Sequence, residues 1–158
     1  MERNDVLHLS HYTVTTSAMS IAHFYKLYPT DVDCVRHLEA VRWGGQPVCP
    51  YCQSQNVTSY KDALRHHCNT CKASFSATVH TLFHNTKLDL QKWFLALYLV
   101  LNTKKGISAR QLSREIEVNK DTAWRMLVQI RKAMHQDAEL LSGIAGSLNN
   151  IEHKSISR

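Results

Sequence analysis

The chain has 158 residues, 44% of them hydrophobic, and 19 Lys and Arg against 13 Asp and Glu, for a formal charge of +6. That is room for one ordinary domain or two small ones around a real core, and the basic balance points to a polyanionic partner. The first twenty residues lack an apolar signal region, and the longest apolar run, Trp93 to Leu101, falls far short of the roughly 18 residues that cross a bilayer. Secretory and membrane-spanning readings are therefore set aside, and a cytoplasmic location is expected.

Residues 1–20 are polar, rich in Ser and Thr and without periodicity, so a loose N-terminal arm is expected there. A helical lead-in follows over 21–46. Ile21 to Tyr28 gives one or two turns, and Thr30 with Asp33 forms a capping box for a helix carrying Cys34, Val35, Leu38 and Val41. Gly44-Gly45 ends that helix after Trp43. From 47 to 86 the texture changes to short strand-like pieces between turns: Val57 to Tyr60, Leu64 to His67, and Ser74 to Ala77. Strands this short do not hold together unaided.

Helical spacing returns over 87–137. Leu88 to Leu101 is apolar nearly all round, which predicts a helix buried on most sides. A polar loop spans Asn102 to Gly106. Ile107-Ser108 then opens a helix ending near Ile116, and Asn119 caps another running from Lys120 to about Met134. Residues 138–158, with Gly143, Gly146 and a Ser/Asn-rich end, are expected to form a disordered tail.

The ribbon-like region carries Cys49-x2-Cys52 and, after fifteen intervening residues, Cys68-x2-Cys71. Two such knuckles place four thiolates around one tetrahedral ion, and Zn²⁺ is the usual occupant of a closed four-sulfur site. Two disulfides conflict with a cytoplasmic compartment, and a redox CxxC has no need of a second copy. One structural zinc on Cys49, Cys52, Cys68 and Cys71 is the reading that remains. Cys34 lies outside the pattern as a small core residue. His66 and His67 adjoin Cys68 and read as strand or surface histidines, with donation of a ring N–H to a zinc-bound sulfur the lesser alternative. His80 and His84 are spaced for a helix-borne metal pair but have no third ligand nearby.

Residues 111–127 read as a helix-turn-helix. Leu112, Ile116, Val118, Ala123 and Leu127 supply the apolar crossing, Ser113 the small contact and Asn119 the second cap. Glu117 falls where a left-handed conformation is needed, at a cost of about 1 kcal/mol. Ala123, Leu127, Ile130 and Met134 form the predicted buried stripe of the second helix. Between Lys104 and Lys132 there are eight Lys/Arg and three acids (Glu115, Glu117, Asp121). Lys104, Lys105, Arg110, Lys120, Thr122, Arg125, Gln129 and Lys132 are the candidate DNA contacts. Arg125 is chemically suited to guanine and Gln129 to adenine. An ordinary amphipathic helix with a solvated basic face is the competing reading. The fold class expected is α+β: a small zinc ribbon of short antiparallel strands flanked by helices, then a three-helix helix-turn-helix domain.

Several stretches together resemble a known family. They are Pro29-Thr30-Asp31 leading to Arg42-Trp43, Val48-Cys49-Pro50-Tyr51-Cys52, Phe83 to Leu88 running into Lys92-Trp93-Phe94, Lys104 to Ala109, and Thr122 to Leu127. They are similar to the N-terminal region of bacterial insertion-sequence transposases, which begin with a zinc ribbon and continue into a DDE-type catalytic domain. The likeness covers about residues 22–140. It implies recognition of terminal inverted repeats by the ribbon and helix-turn-helix. It also implies that strand transfer belongs to an RNase H-like domain expected to start soon after Ile144. The sequence instead runs from Ala145 to Arg158, where Glu152 alone could not hold two metal ions. The expectation is thus a truncated transposase-like protein that binds DNA, with a full-length enzyme or another copy as possible partner, and performs no catalysis itself. A stand-alone regulator or transposition inhibitor is the alternative.

Overall fold

A computed structural model describes residues 20–60, 64–103 and 105–150; the predicted arm lies outside them. The element order is α1 (Ile21–Leu27), α2 (Asp31–Trp43), β1 (Val57–Tyr60), β2 (Arg65–Cys68), β3 (Ser74–Phe75), α3 (Leu90–Asn102), α4 (Ala109–Glu115), α5 (Lys120–Gln136) and α6 (Ala138–Asn150). This is α+β, with a small three-stranded antiparallel sheet among helices.

Local chemistry sets the helix ends. In α2 the Thr30 hydroxyl accepts from the Asp33 amide, the Asp33 carboxylate accepts from the Thr30 amide, and Gly44 closes the helix at φ 59°. Ser108 caps α4 by accepting from the Gln111 amide at 3.1 Å. Asn119 caps α5, its Oδ1 accepting from the Thr122 amide at 2.7 Å.

The strands pair in the order β1-β2-β3, with Val57 opposite Cys68 and His66 opposite Phe75. Their own apolar core is small: Cys49, Cys68 and Phe75 are buried, with Trp43, Val57 and Val79 packed against them. The larger core is helical. α3 is its axis, burying Leu90 and every residue from Trp93 to Tyr98. Phe24, Leu38, Phe83, Leu112, Ile130 and Ile144 pack into the same cluster, so residues from all six helices share one core. Trp93 is fixed by its indole N–H, which donates to the Thr86 hydroxyl at 2.8 Å.

Two local expectations are corrected. Residues 138–150 form α6 where a disordered tail was expected, because Leu141 and Ile144 are buried against the helical core. Gly143 makes that packing possible, since a Cβ there would meet Val41 Cγ1 at 2.5 Å. His80 and His84 lie in successive turns, not on a helix; His80 has φ 59° and Asn85 φ 57°.

α2 joins the two cores. Trp43 packs edge-on against His66 and Phe75, with ring centroids 5.2 and 5.8 Å apart. The Arg42 guanidinium lies 5.0 Å from the Trp43 ring and donates to the Ala77 carbonyl at 2.6 Å. Burial lowers its pKa, an effect the Asp137 carboxylate opposes.

Candidate metal centre and nucleic-acid interface

The two CxxC loops are built alike. In the first, the Cys49 amide donates to the Ser54 carbonyl and the Gln53 amide to the Cys49 carbonyl, each at 2.9 Å. In the second, the Cys68 amide donates to Ala73 and the Lys72 amide to Cys68, again at 2.9 Å. Gln53 and Lys72, each four residues after the first cysteine, both have φ 61°. The left-handed residue turns each chain back so that both thiols face the same point. The Ser54 and Thr70 hydroxyls, 2.8 Å apart, tie one knuckle to the other. Asn69 braces the second knuckle against β1, donating to Asn56 Oδ1 at 3.0 Å and Thr58 Oγ1 at 3.1 Å.

The four Sγ atoms lie within 4.8 Å of one another, Cys49 to Cys71 at 3.6 Å and Cys52 to Cys68 at 3.5 Å. Zn–S bonds of about 2.3 Å in a tetrahedron place sulfurs about 3.8 Å apart, so this donor set fits one zinc ion. The Cys71 amide points at Cys68 Sγ, 3.5 Å away. Together with the Thr70 amide it draws the Cys68 thiol down to about 6, toward the thiolate that a metal requires. Cys49 and Cys68 are buried while Cys52 and Cys71 face solvent. All four ligand positions are filled by protein sulfur, so a zinc here staples the fold and leaves no coordination position for a substrate. Cys34 stands apart in the helical core, its thiol pushed up to about 12 by burial and by Asp31 and Asp33.

His66 is buried in β2. Its Nδ1 lies 2.9 Å from Ser59 Oγ and its Nε2 2.8 Å from Glu39 Oε1. It therefore locks the sheet onto α2 through a partner 27 positions away, a pairing that nothing in the local sequence signals.

α4 and α5 pack against one another across the turn that joins them. Glu117 occupies the left-handed position at φ 54°, and the Val118 amide reaches back to the Ser113 carbonyl at 3.1 Å. Lys92 Nζ donates to the Glu117 carbonyl at 3.3 Å, fastening the turn to α3. α5 buries Ala123, Met126, Leu127, Ile130 and Ala133. The predicted stripe is thus shifted, with Met134 only partly buried. Of the candidate DNA contacts, Lys105, Arg110, Lys120, Arg125, Gln129 and Lys132 are exposed, and Thr122 is half-buried beside the cap. Lys104 lies outside the described residues. Sequence reasoning missed Trp124, Val128 and Arg131, all exposed on α5; the helical period measured from Ala123 and Ile130 would have placed them outward.

Residues 29–74, from the start of α2 through both knuckles to the first residue of β3, match the family described as the transposase zinc-ribbon domain, IS1595 type. The chain is 31% identical over 109 residues to an uncharacterized protein in transposable element ISH50 of Halobacterium salinarum. That match covers 67% of this chain and 36% of the relative, so the chain spans about a third of the relative's length. No solved structure gives a significant match. Among the described residues no helix is long and apolar enough to cross a membrane. Residues 29–74 of the chain thus carry a transposase zinc-ribbon domain, and the chain as a whole is similar to a protein found in a transposable element.

Proposed function

We propose that this chain binds double-stranded DNA at the terminal inverted repeats of an insertion element, with α5 as the reading helix and the zinc ribbon as its structural companion. The observation that carries this is the outer face of α5, where Lys120, Arg125, Gln129 and Lys132 stand exposed on a helix capped by Asn119 behind a left-handed Glu117 turn. A helix presented in this way fits the major groove, and its side chains can reach base edges and phosphates. Lys105 and Arg110, around the start of α4, are assigned to the phosphate backbone together with Lys104, the residue before Lys105 in the sequence. The transposase-type ribbon supports the choice of element ends over other DNA. Cytoplasmic location goes with this reading.

Binding without strand cleavage is the activity assigned to these residues. Incubation with end DNA and Mg²⁺ should leave the strands intact; nicking by the purified chain would overturn that assignment.

The test of recognition is selection of duplexes from a random pool by the zinc-loaded chain. The expected product is one enriched sequence that recurs at the ends of the element carrying the gene. Arg125→Ala and Gln129→Ala should relax preference at single positions, while Lys132→Ala weakens all sites alike. A pool that never enriches would refute sequence-specific recognition.

A further inference from the structure

The three tryptophans differ sharply in setting. Trp93 is 3% exposed and Trp43 is half-buried against the sheet, whereas Trp124 is 59% exposed. Trp124 stands on the second turn of α5, and Val128, 43% exposed, follows one turn later on the same side. An apolar pair therefore runs along the outer face of the helix assigned above to the major groove. The charges beside it are Lys120, Arg125, Arg131 and Lys132, all exposed, with the one acid Asp121 on the first turn. Four cations around an apolar pair suit a polyanion that also offers an apolar group, and they repel a second copy of the same face.

We propose that Trp124 and Val128 read thymine C5-methyl groups in the DNA site. The methyl is the apolar group that a base pair presents on its major-groove edge, and apolar side chains are its natural partners. Four residues of helix advance about 6 Å, a little under two base-pair steps of about 3.4 Å each. The two contacts therefore fall on thymines within about two base pairs of one another where α5 follows the groove. Arg125, the neighbour of Trp124, remains free to take a guanine or a phosphate alongside. This inference rests on the DNA-binding reading of α5.

The test uses the zinc-loaded full chain and the duplex recovered by random selection, with each thymine replaced in turn by deoxyuridine, which lacks only the methyl. Uridine at one or two neighbouring positions should weaken binding about fourfold per methyl. Trp124→Ala should bind more weakly and become indifferent to uridine at one of those positions, while Lys132→Ala keeps the wild-type sensitivity. DNA should also shield the fluorescence of Trp124 from acrylamide in the wild-type chain. Trp124 is outside the core, so the variant should retain the wild-type melting temperature, which separates lost contact from lost fold. Binding that ignores uridine everywhere, or a Trp124→Ala variant as sensitive as wild type, would overturn the proposal. So would concentration-dependent self-association abolished by Trp124→Ala, which would give the face to a second copy. Failure to bind any duplex strikes instead at the DNA-binding reading itself.

Discussion

Removing zinc with a chelator should unfold the ribbon and leave the helical core standing. The ribbon's strands are four, four and two residues long, and its buried set is Cys49, Cys68 and Phe75. Burial of Phe75 contributes about 2–3 kcal/mol, against a backbone ordering cost of about 1–2 kcal/mol for each residue held in place. A structural zinc supplies on the order of 10–16 kcal/mol, so the metal decides whether this part folds. The core around α3 is built of apolar side chains and draws its stability from Phe24, Leu38, Phe94, Leu97, Leu112 and Ile130 among others. Two-dimensional amide NMR before and after chelation should show residues 47–76 collapsing to random-coil positions while α3, α4 and α5 keep their dispersion. Thiol labelling gives a second view: four cysteines should react promptly once zinc is gone, and buried Cys34, with its raised thiol pKa, last. The pH dependence has a definite sign: zinc is held by thiolates, so protons compete with it and acid should release the metal and unfold the ribbon together. Loss of the α3–α5 signals in the same step as the ribbon, or a ribbon that stays dispersed without metal, would refute the reasoning.

Four substitutions test the remaining scaffold. Gly143→Ala should lower the melting temperature, since overpacking against the stiff Val41 side chain costs about 1–3 kcal/mol and outweighs about 1 kcal/mol of helix propensity. Gly146→Ala, which meets open space, should raise it; equal shifts in the same direction would contradict the α2–α6 contact. His66→Ala should cost about 2–3 kcal/mol by removing the Ser59 and Glu39 contacts, with zinc content by metal analysis still one per chain. Glu117→Gly should raise stability in denaturant titration by up to about 1 kcal/mol by relieving a left-handed backbone at φ 54°.

What could be read from the sequence was whatever is decided locally. The Thr30–Asp33 box, the Gly44 terminus, the Asn119 cap and the left-handed Glu117 each depend on residues within a turn of one another, and each is found where it was expected. The paired CxxC spacing likewise converges on one point in space. Features set by distant partners were not legible. Gly143 and Gly146 read as helix breakers in isolation, yet Gly143 is the residue that lets α6 approach Val41. His66 shows no link to Glu39 in the sequence, and the outward setting of Trp124 depends on which face of α5 packs on the core. The strands of the ribbon were found to within a residue or two because turns bracket them, β2 starting at Arg65 where Leu64 had been expected.

The measurement closest to the central claim is the affinity for the selected duplex as a function of salt, for the wild-type chain and Arg125→Ala. Log affinity should fall linearly with log salt at a slope set by several phosphate contacts, and Arg125→Ala should weaken the preferred site by about 1–3 kcal/mol. Affinity indifferent to salt and to Arg125→Ala would make α5 a solvated helix and contradict the account.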